Sequence, residues 1–208
     1  MAVFDRPCLV DIDTQVDFVL PSGALYVPGA EELIPIWRQL TEFGEVNRLP
    51  MIASVDCHGS NDPEFEEYPP HCVVGTPGQA KIAETLAAKY QSIPNDERET
   101  TVDFDVQVIL EKQAIDVFTN VRAEEILGSV PCTTFAVYGV TTEHCVRAAV
   151  LGLRRCGHRV HVLSDAVKPL DPAAGERALA EMANAGAGFI QSAAFFDKVR
   201  RHLDRREP

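Results

Sequence analysis

No apolar run in this chain approaches the length of a membrane-spanning helix. Its first residues, MAVFDRPCLVDID, lack the charged start and long apolar stretch of a secretion signal. A membrane-embedded or exported protein is therefore not expected, and a cytoplasmic one is. Basic residues are scarce: 19 Lys and Arg stand against 31 Asp and Glu, a formal net charge of -12. That balance argues against a general binder of nucleic acid or of anionic membranes. The one basic stretch, KVRRHLDRR near the C-terminus, reads as the solvated face of a final helix. The six cysteines, at 8, 57, 72, 132, 145 and 156, include no CxxC pair and no disulfide-like framework. They fit a reduced compartment in which most act as small buried hydrophobes. Internal repeats and low-complexity tracts are also absent.

What is present is an ordinary globular composition, 46% hydrophobic and 24% charged over 208 residues, which predicts a single domain, 1–208, with a substantial core. Short apolar runs rich in β-branched residues occur at 8–12, 51–55, 106–110, 134–140 and 159–164. Continuous runs of that length suit strands buried on both faces, as in a parallel sheet. Between them, 30–45, 78–90, 122–130, 142–157 and 172–186 carry helical periodicity, and several close on glycine. The acidic stretch 91–105 reads as an exposed connection or small insertion. Strand–helix alternation predicts an α/β layered fold with ligands gathered at the C-terminal ends of the strands.

On that logic the residues just past each apolar run share one rim. Asp13 and Gln15 follow the first strand, Asp56 and His58 the second, Lys112 the third, and Thr141, Thr142 and Cys145 the fourth. Cys145, in GVTTEHCVRAA, lies where a strand ends at glycine and Thr141 or Thr142 caps a helix. A cysteine in a first helical turn faces free N–H groups and the positive end of the helix dipole, which lower a thiol pKa and can hold an oxyanion. Lys112 could pair with the thiolate, and a nearby aspartate could take its proton. Asp11, Asp13 and Asp17 are not separated by sequence alone. Nucleophile, cation and base together make a cysteine hydrolase constellation. His144 adjoins the nucleophile but diverges from it by about 100° on a helix, so it is expected to be peripheral.

A second cluster occupies SVDCHGSNDPEFEEYPPHCVVGTPG. Asp56 and His58 point the same way in an extended chain. Pro69, Pro70 and the glycine loop hold His71 stiffly. With glutamates between them, these residues can supply three or four ligands to a divalent metal.

Four separated motifs in this order, VDIDTQVDF, VDCHGS, YPPHCVVGTPG and GVTTEHCVRAA, resemble the nicotinamidases of the isochorismatase-like cysteine hydrolase superfamily. The resemblance covers nearly the whole chain. It implies a three-layer α/β/α fold with a mainly parallel central sheet. It also implies a triad of Asp13, Lys112 and Cys145, and an oxyanion hole from the N–H groups of Thr141 and Cys145, with a cis peptide between Val140 and Thr141. One divalent metal per chain is implied, zinc ahead of iron or manganese, on Asp56, His58, Glu64 and His71, with Glu66 and Glu67 solvated. Phe18 and Tyr68 become the aromatic walls around a flat ring. The implied reaction is hydrolysis of nicotinamide to nicotinate and ammonia through a thioester, in pyridine nucleotide salvage, with a homo-oligomeric assembly and no nucleic-acid or membrane partner. One stretch departs from the pattern: after Lys112 the chain reads QAIDVFTN, where Phe118 is the candidate pocket aromatic. The alternatives are a cysteine hydrolase of another small amide or carbamoyl compound, or a non-catalytic metal- or ligand-binding module.

Overall fold

A computed structural model describes Phe4 and residues 6–204. Among these, the strands are β1 (Pro7–Ile12), β2 (Met51–Asp56), β3 (Tyr90–Ile93), β4 (Gln107–Lys112), β5 (Thr134–Val140), β6 (Val160–Lys168) and β7 (Gly188–Ile190). They form one sheet in the order β3-β4-β2-β1-β5-β6-β7, and every pairing is parallel. The helices are α1 (Val16–Val19), α2 (Ile34–Val46), α3 (Ala123–Ser129), α4 (Arg147–Arg155), α5 (Pro172–Asn184) and α6 (Ser192–Leu203).

Every residue of β1, β2 and β5 is buried, because helices cover both faces of the sheet. The alternation of side chains along β1 shows the two faces. Cys8, Val10 and Ile12 pack with Ile126, Leu127, Ala149, Val150, Leu153, Ala178 and Met182 from α3, α4 and α5. Leu9 packs with Trp37, Leu40, Phe43, Phe195 and Val199 from α2 and α6. The result is the expected three layers around a parallel sheet.

Some boundaries differ from the sequence expectation. The stretch 78–90 is not a helix; it makes two short 3-10 turns, Pro77–Gln79 and Ala83–Thr85, before entering β3. Its polar backbone is satisfied by partners remote in sequence. Ile82 N–H donates to Thr14 O at 3.0 Å, and the Gln107 side chain takes Ala87 N–H and donates to Thr85 O at 3.0 and 2.9 Å. β3 also claims the start of the supposed connection at 91–105, as a half-exposed edge strand. β6 runs four residues beyond 164, and α2 starts at Ile34 after a 3-10 turn over Ala30–Leu33. On α6, Lys198, Arg200 and Arg201 are exposed as expected, while Arg205 and Arg206 lie outside the described residues. Among the described residues, no helix is long and apolar enough to cross a membrane.

The order turns around β1, with later strands added on either side. The C-terminal ends of β4, β2, β1 and β5 therefore sit side by side, and the polar residues that follow them meet there.

Candidate active site

Lys112, the last residue of β4, is wholly buried. It pairs in register with Asp56 at the end of β2, and its Nζ hydrogen-bonds Asp56 Oδ1. The same Nζ lies 2.9 Å from Asp13 Oδ2 and 3.6 Å from Cys145 Sγ. Burial disfavours the ammonium, but Asp13 and Asp56 outweigh it and hold its pKa well above the usual lysine value. Burial likewise opposes the Asp56 carboxylate, and Lys112 and His58 overcome it and keep it below the usual range.

Asp13 follows β1 with a φ of 52°, in the left-handed region that turns its side chain back across the strand ends. Its Oδ1 accepts from Ser54 Oγ at 2.6 Å. Its Oδ2, despite the close Lys112, accepts no hydrogen bond of good geometry and keeps a lone pair free. Burial raises the Asp13 pKa, Lys112 lowers it and Asp56 raises it again. Asp11 and Asp17 go elsewhere. Asp11 pairs with Lys81 at 2.7 Å, and Asp17 accepts two backbone N–H groups. Geometry thus separates three aspartates that the sequence left together.

Cys145 sits in a π-turn, Thr142–Val146, that precedes α4. The Val140–Thr141 peptide is cis, as the resemblance implied. The expected side-chain cap is not made: Thr141 and Thr142 Oγ1 are both buried without partners, and the turn is closed by Thr141 O, which accepts from His144 and Val146 N–H at 3.2 and 3.1 Å. The Thr141 amide meets no hydrogen-bond acceptor among the described residues, and Thr141 lines the same cleft as Cys145. The expected acidic thiol is also corrected. Burial pushes the Cys145 pKa well up, against the pull of Lys112, so the resting group is a thiol, with its sulfur within 4.8 Å of an Asp13 carboxylate oxygen.

Beside this cluster, one donor atom each from Asp56, His58 and His71 lie within 4.8 Å of one another, all three residues buried. Asp56 Oδ2 is 3.9 Å from both His58 Nε2 and His71 Nε2, and Glu64 Oε1 is 3.8 Å from His71 Nε2. His71 Nδ1 contacts Pro69 O at 2.8 Å, and His58 Nδ1 lies 3.0 Å from Asp62 Oδ2, too bent for a hydrogen bond. Both rings thereby turn Nε2 inward, and His58 Nε2 is buried with no hydrogen-bond partner. Two imidazole nitrogens and the Asp56 carboxylate converging on one point, with Glu64 outside that trio but beside His71, fit a divalent cation, and zinc, iron and manganese all accept such donors. Glu66 and Glu67 are exposed, as expected.

Both clusters open into one narrow cleft, lined by Phe18, Leu25, Val27, Tyr68, Ile115, Leu170 and His144 together with Asp56, Glu64, His71, Val140, Thr141 and Cys145. The Phe18 ring is 5.4 Å from the His71 ring, and that of Tyr68 is 6.4 Å from it. His144 is not peripheral: it lines the cleft and meets Tyr68 edge-on at 6.2 Å. A π-turn is wound more loosely than an α-helix, so adjacent side chains diverge less than the ~100° expected. Phe118 does not reach the cleft; its ring packs where a side chain on Gly152 would stand, beneath the Arg155 guanidinium. Ile115 lines the cleft from that stretch instead. Sequence reasoning also missed Leu25, Leu170, Ser54 and Phe65, whose ring lies 5.4 Å from His58 and 5.7 Å from His71. None carries a signal distinguishable from ordinary core. A larger groove between Gly44–Met51 and Phe104–Gln107 lies at the opposite, N-terminal edge of the sheet, away from these groups.

Comparison with known proteins agrees with this geometry. Residues 7–194 match the isochorismatase domain family. The nicotinamidase of Escherichia coli (strain K12) is 25% identical over 205 residues, covering 86% of this chain and 92% of that one. Among solved structures, a pyrazinamidase of Pyrococcus horikoshii in complex with zinc is 30% identical with a TM-score of 0.74, over 89% of this chain and 99% of its own. PnC1 from L. infantum in complex with nicotinate is 24% identical, shares the fold at a TM-score of 0.75, and is matched over 91% of this chain and 94% of its own.

Proposed function

The chain belongs to the isochorismatase family and is a hydrolase of it, and from that premise we propose that it converts nicotinamide to nicotinate and ammonia through a Cys145 thioester. The observation that carries this reading is the single ammonium of Lys112 lying against Asp13, Asp56 and Cys145 at once. It joins a nucleophile and base to a donor set suited to a divalent cation.

In this mechanism Asp13 Oδ2 takes the thiol proton as substrate binds, and Lys112 stabilises the thiolate while it forms. Sγ attacks the amide carbonyl carbon. The Thr141 and Cys145 N–H groups hold the resulting oxyanion. Collapse breaks the C–N bond, and Asp13 returns its proton to the departing ammonia. Asp13 then takes a proton from water as its oxygen attacks the thioester, and Cys145 leaves to regenerate the thiol. Phe18 and Tyr68 flank the ring and fix its plane. Asp56, His58, Glu64 and His71 would hold one divalent cation, zinc first, which supplies a Lewis-acid contact for a ring nitrogen. The cytoplasm and pyridine nucleotide salvage are the setting such a reaction implies.

The zinc-liganded pyrazinamidase and the Escherichia coli nicotinamidase support the substrate class. The test is ammonia release by metal-loaded protein from nicotinamide and from benzamide, which lacks the ring nitrogen. Losing one aligned polar contact in a dry pocket costs a few kcal/mol, so nicotinamide should win by about a hundredfold or more. Equal turnover of both would remove the nicotinamidase assignment and leave the cysteine hydrolase.

A further inference from the structure

We propose that Asp17 is a positioning residue that locks the metal-ligand loop and the cleft wall onto helix α1. The proposal rests on the divalent-cation part of the reading above, and on its amidohydrolase part only for the kinetic consequence. Asp17 is buried, and its two carboxylate oxygens are both spent on main-chain donors. Oδ2 accepts Cys72 N–H at 2.7 Å, and Oδ1 accepts Ala24 N–H at 2.9 Å. Its own main-chain oxygen accepts Leu25 N–H at 3.1 Å. Among the described residues, no Lys, Arg or His forms an ion pair with it.

The positions of the donors give the carboxylate its role. Cys72 follows the ligand His71 and is held at a φ of 46°, a conformation few non-glycine residues adopt. Ala24 precedes Leu25, and Asp17 precedes Phe18; Leu25, Phe18 and His71 all line the cleft. One carboxylate therefore sets three pieces of the wall against each other. Gly78 confirms how closely the loop seats. A Cβ there would stand 2.1 Å from Asp17 Oδ2 and 2.3 Å from Oδ1, and its three nearest atoms all belong to that carboxylate. Gly78 has no left-handed φ, so proximity to Asp17 is what demands glycine.

The role needs a carboxylate. It accepts two N–H donors through two oxygens, whereas an amide of the same shape has only one accepting atom. Asp17→Asn therefore leaves Cys72 or Ala24 N–H facing an NH2 group and loosens the loop that aims His71. Substitutions behind a metal ligand typically weaken binding about 10- to 100-fold, and that loss is expected here. The measurement is zinc affinity of the metal-stripped full chain, by competition against a chromophoric chelator. Gly78→Ala displaces the same carboxylate from the other side and should give the same loss. It carries the test if Asp17→Asn does not fold. Asp11→Asn is the control: Asp11 is also buried, but its partners are Lys81 and Thr14. It should lower stability and leave zinc affinity within about threefold of the parent, since sites without shared partners act independently.

At saturating zinc, Asp17→Asn should raise the KM for nicotinamide more than it lowers kcat, because Asp13, Lys112 and Cys145 are untouched. The zinc titration involves no substrate, so a failed nicotinamidase assay leaves it readable. Zinc affinity near the parent value in both Asp17→Asn and Gly78→Ala would overturn the proposal. So would an equal loss in Asp11→Asn, or a parent chain that binds no zinc.

Discussion

Replacing Lys112 with methionine removes the ammonium and keeps a side chain of similar length in a wholly buried position. The change strands Asp13 and Asp56, which the lysine holds at 2.9 Å and in a direct hydrogen bond. Breaking a buried ion pair from one side costs about 3–5 kcal/mol. Proton uptake limits that loss. Burial already raises the Asp13 pKa and Asp56 raises it further, so without the opposing lysine Asp13 moves higher still. A carboxyl whose folded pKa exceeds its unfolded value binds its proton more tightly in the native state. The variant therefore loses stability as pH rises from the unfolded pKa to the raised one, at about 1.4 kcal/mol for each pH unit in that interval. Urea unfolding of metal-free protein at pH 5 and pH 8 reads this directly. The expected deficit is about 3–5 kcal/mol at the higher pH and smaller at the lower. Turnover should fall about a hundredfold or more, because Asp13 then holds its proton and cannot take that of Cys145. A methionine variant as stable as the parent at pH 8, with turnover within about tenfold, would refute the assignment of Lys112 as the cation of the site.

Two further outcomes follow from the same geometry. Cys145→Ala should abolish turnover while folding and metal content stay intact, and Cys72→Ala should keep activity; mass spectrometry, metal analysis and an ammonia assay decide it, and the opposite pattern would move the nucleophile. Glu64→Ala should weaken metal binding, since Glu64 Oε1 faces His71 Nε2 at 3.8 Å, whereas Glu67→Ala at an exposed position should not; metal titrations ranking them the other way would displace Glu64 from the ligand set.

The parts legible in sequence were those with a local cause. β1, β2 and β5 read correctly because a strand buried on both faces must be apolar throughout, and that requirement writes itself into consecutive residues. β3 and β7 did not, because a half-exposed edge strand and a three-residue strand carry no such run. The stretch 78–90 has helical periodicity, yet its backbone finds partners on Thr14 and Gln107, and no local rule anticipates those bonds. Asp56, His58 and His71 were legible because strand alternation and two prolines fix side-chain direction within a few residues.

Sequence by itself determined the layered α/β architecture, the rim on which function sits, and the residue types gathered there. All three follow from hydrophobic periodicity and from the rule that parallel strands end on one edge. Only the tertiary structure decided which aspartate does what. Asp11, Asp13 and Asp17 are near neighbours in the chain, but their partners, Lys81, Lys112 and Cys72, come from distant segments. The direction of a side chain past a strand end depends on a turn such as the 52° φ at Asp13, and the charge of a buried group depends on what the fold packs against it. The same holds for Cys145: its position at a helix start suggested an acidic thiol, and burial makes it a protonated one awaiting its base.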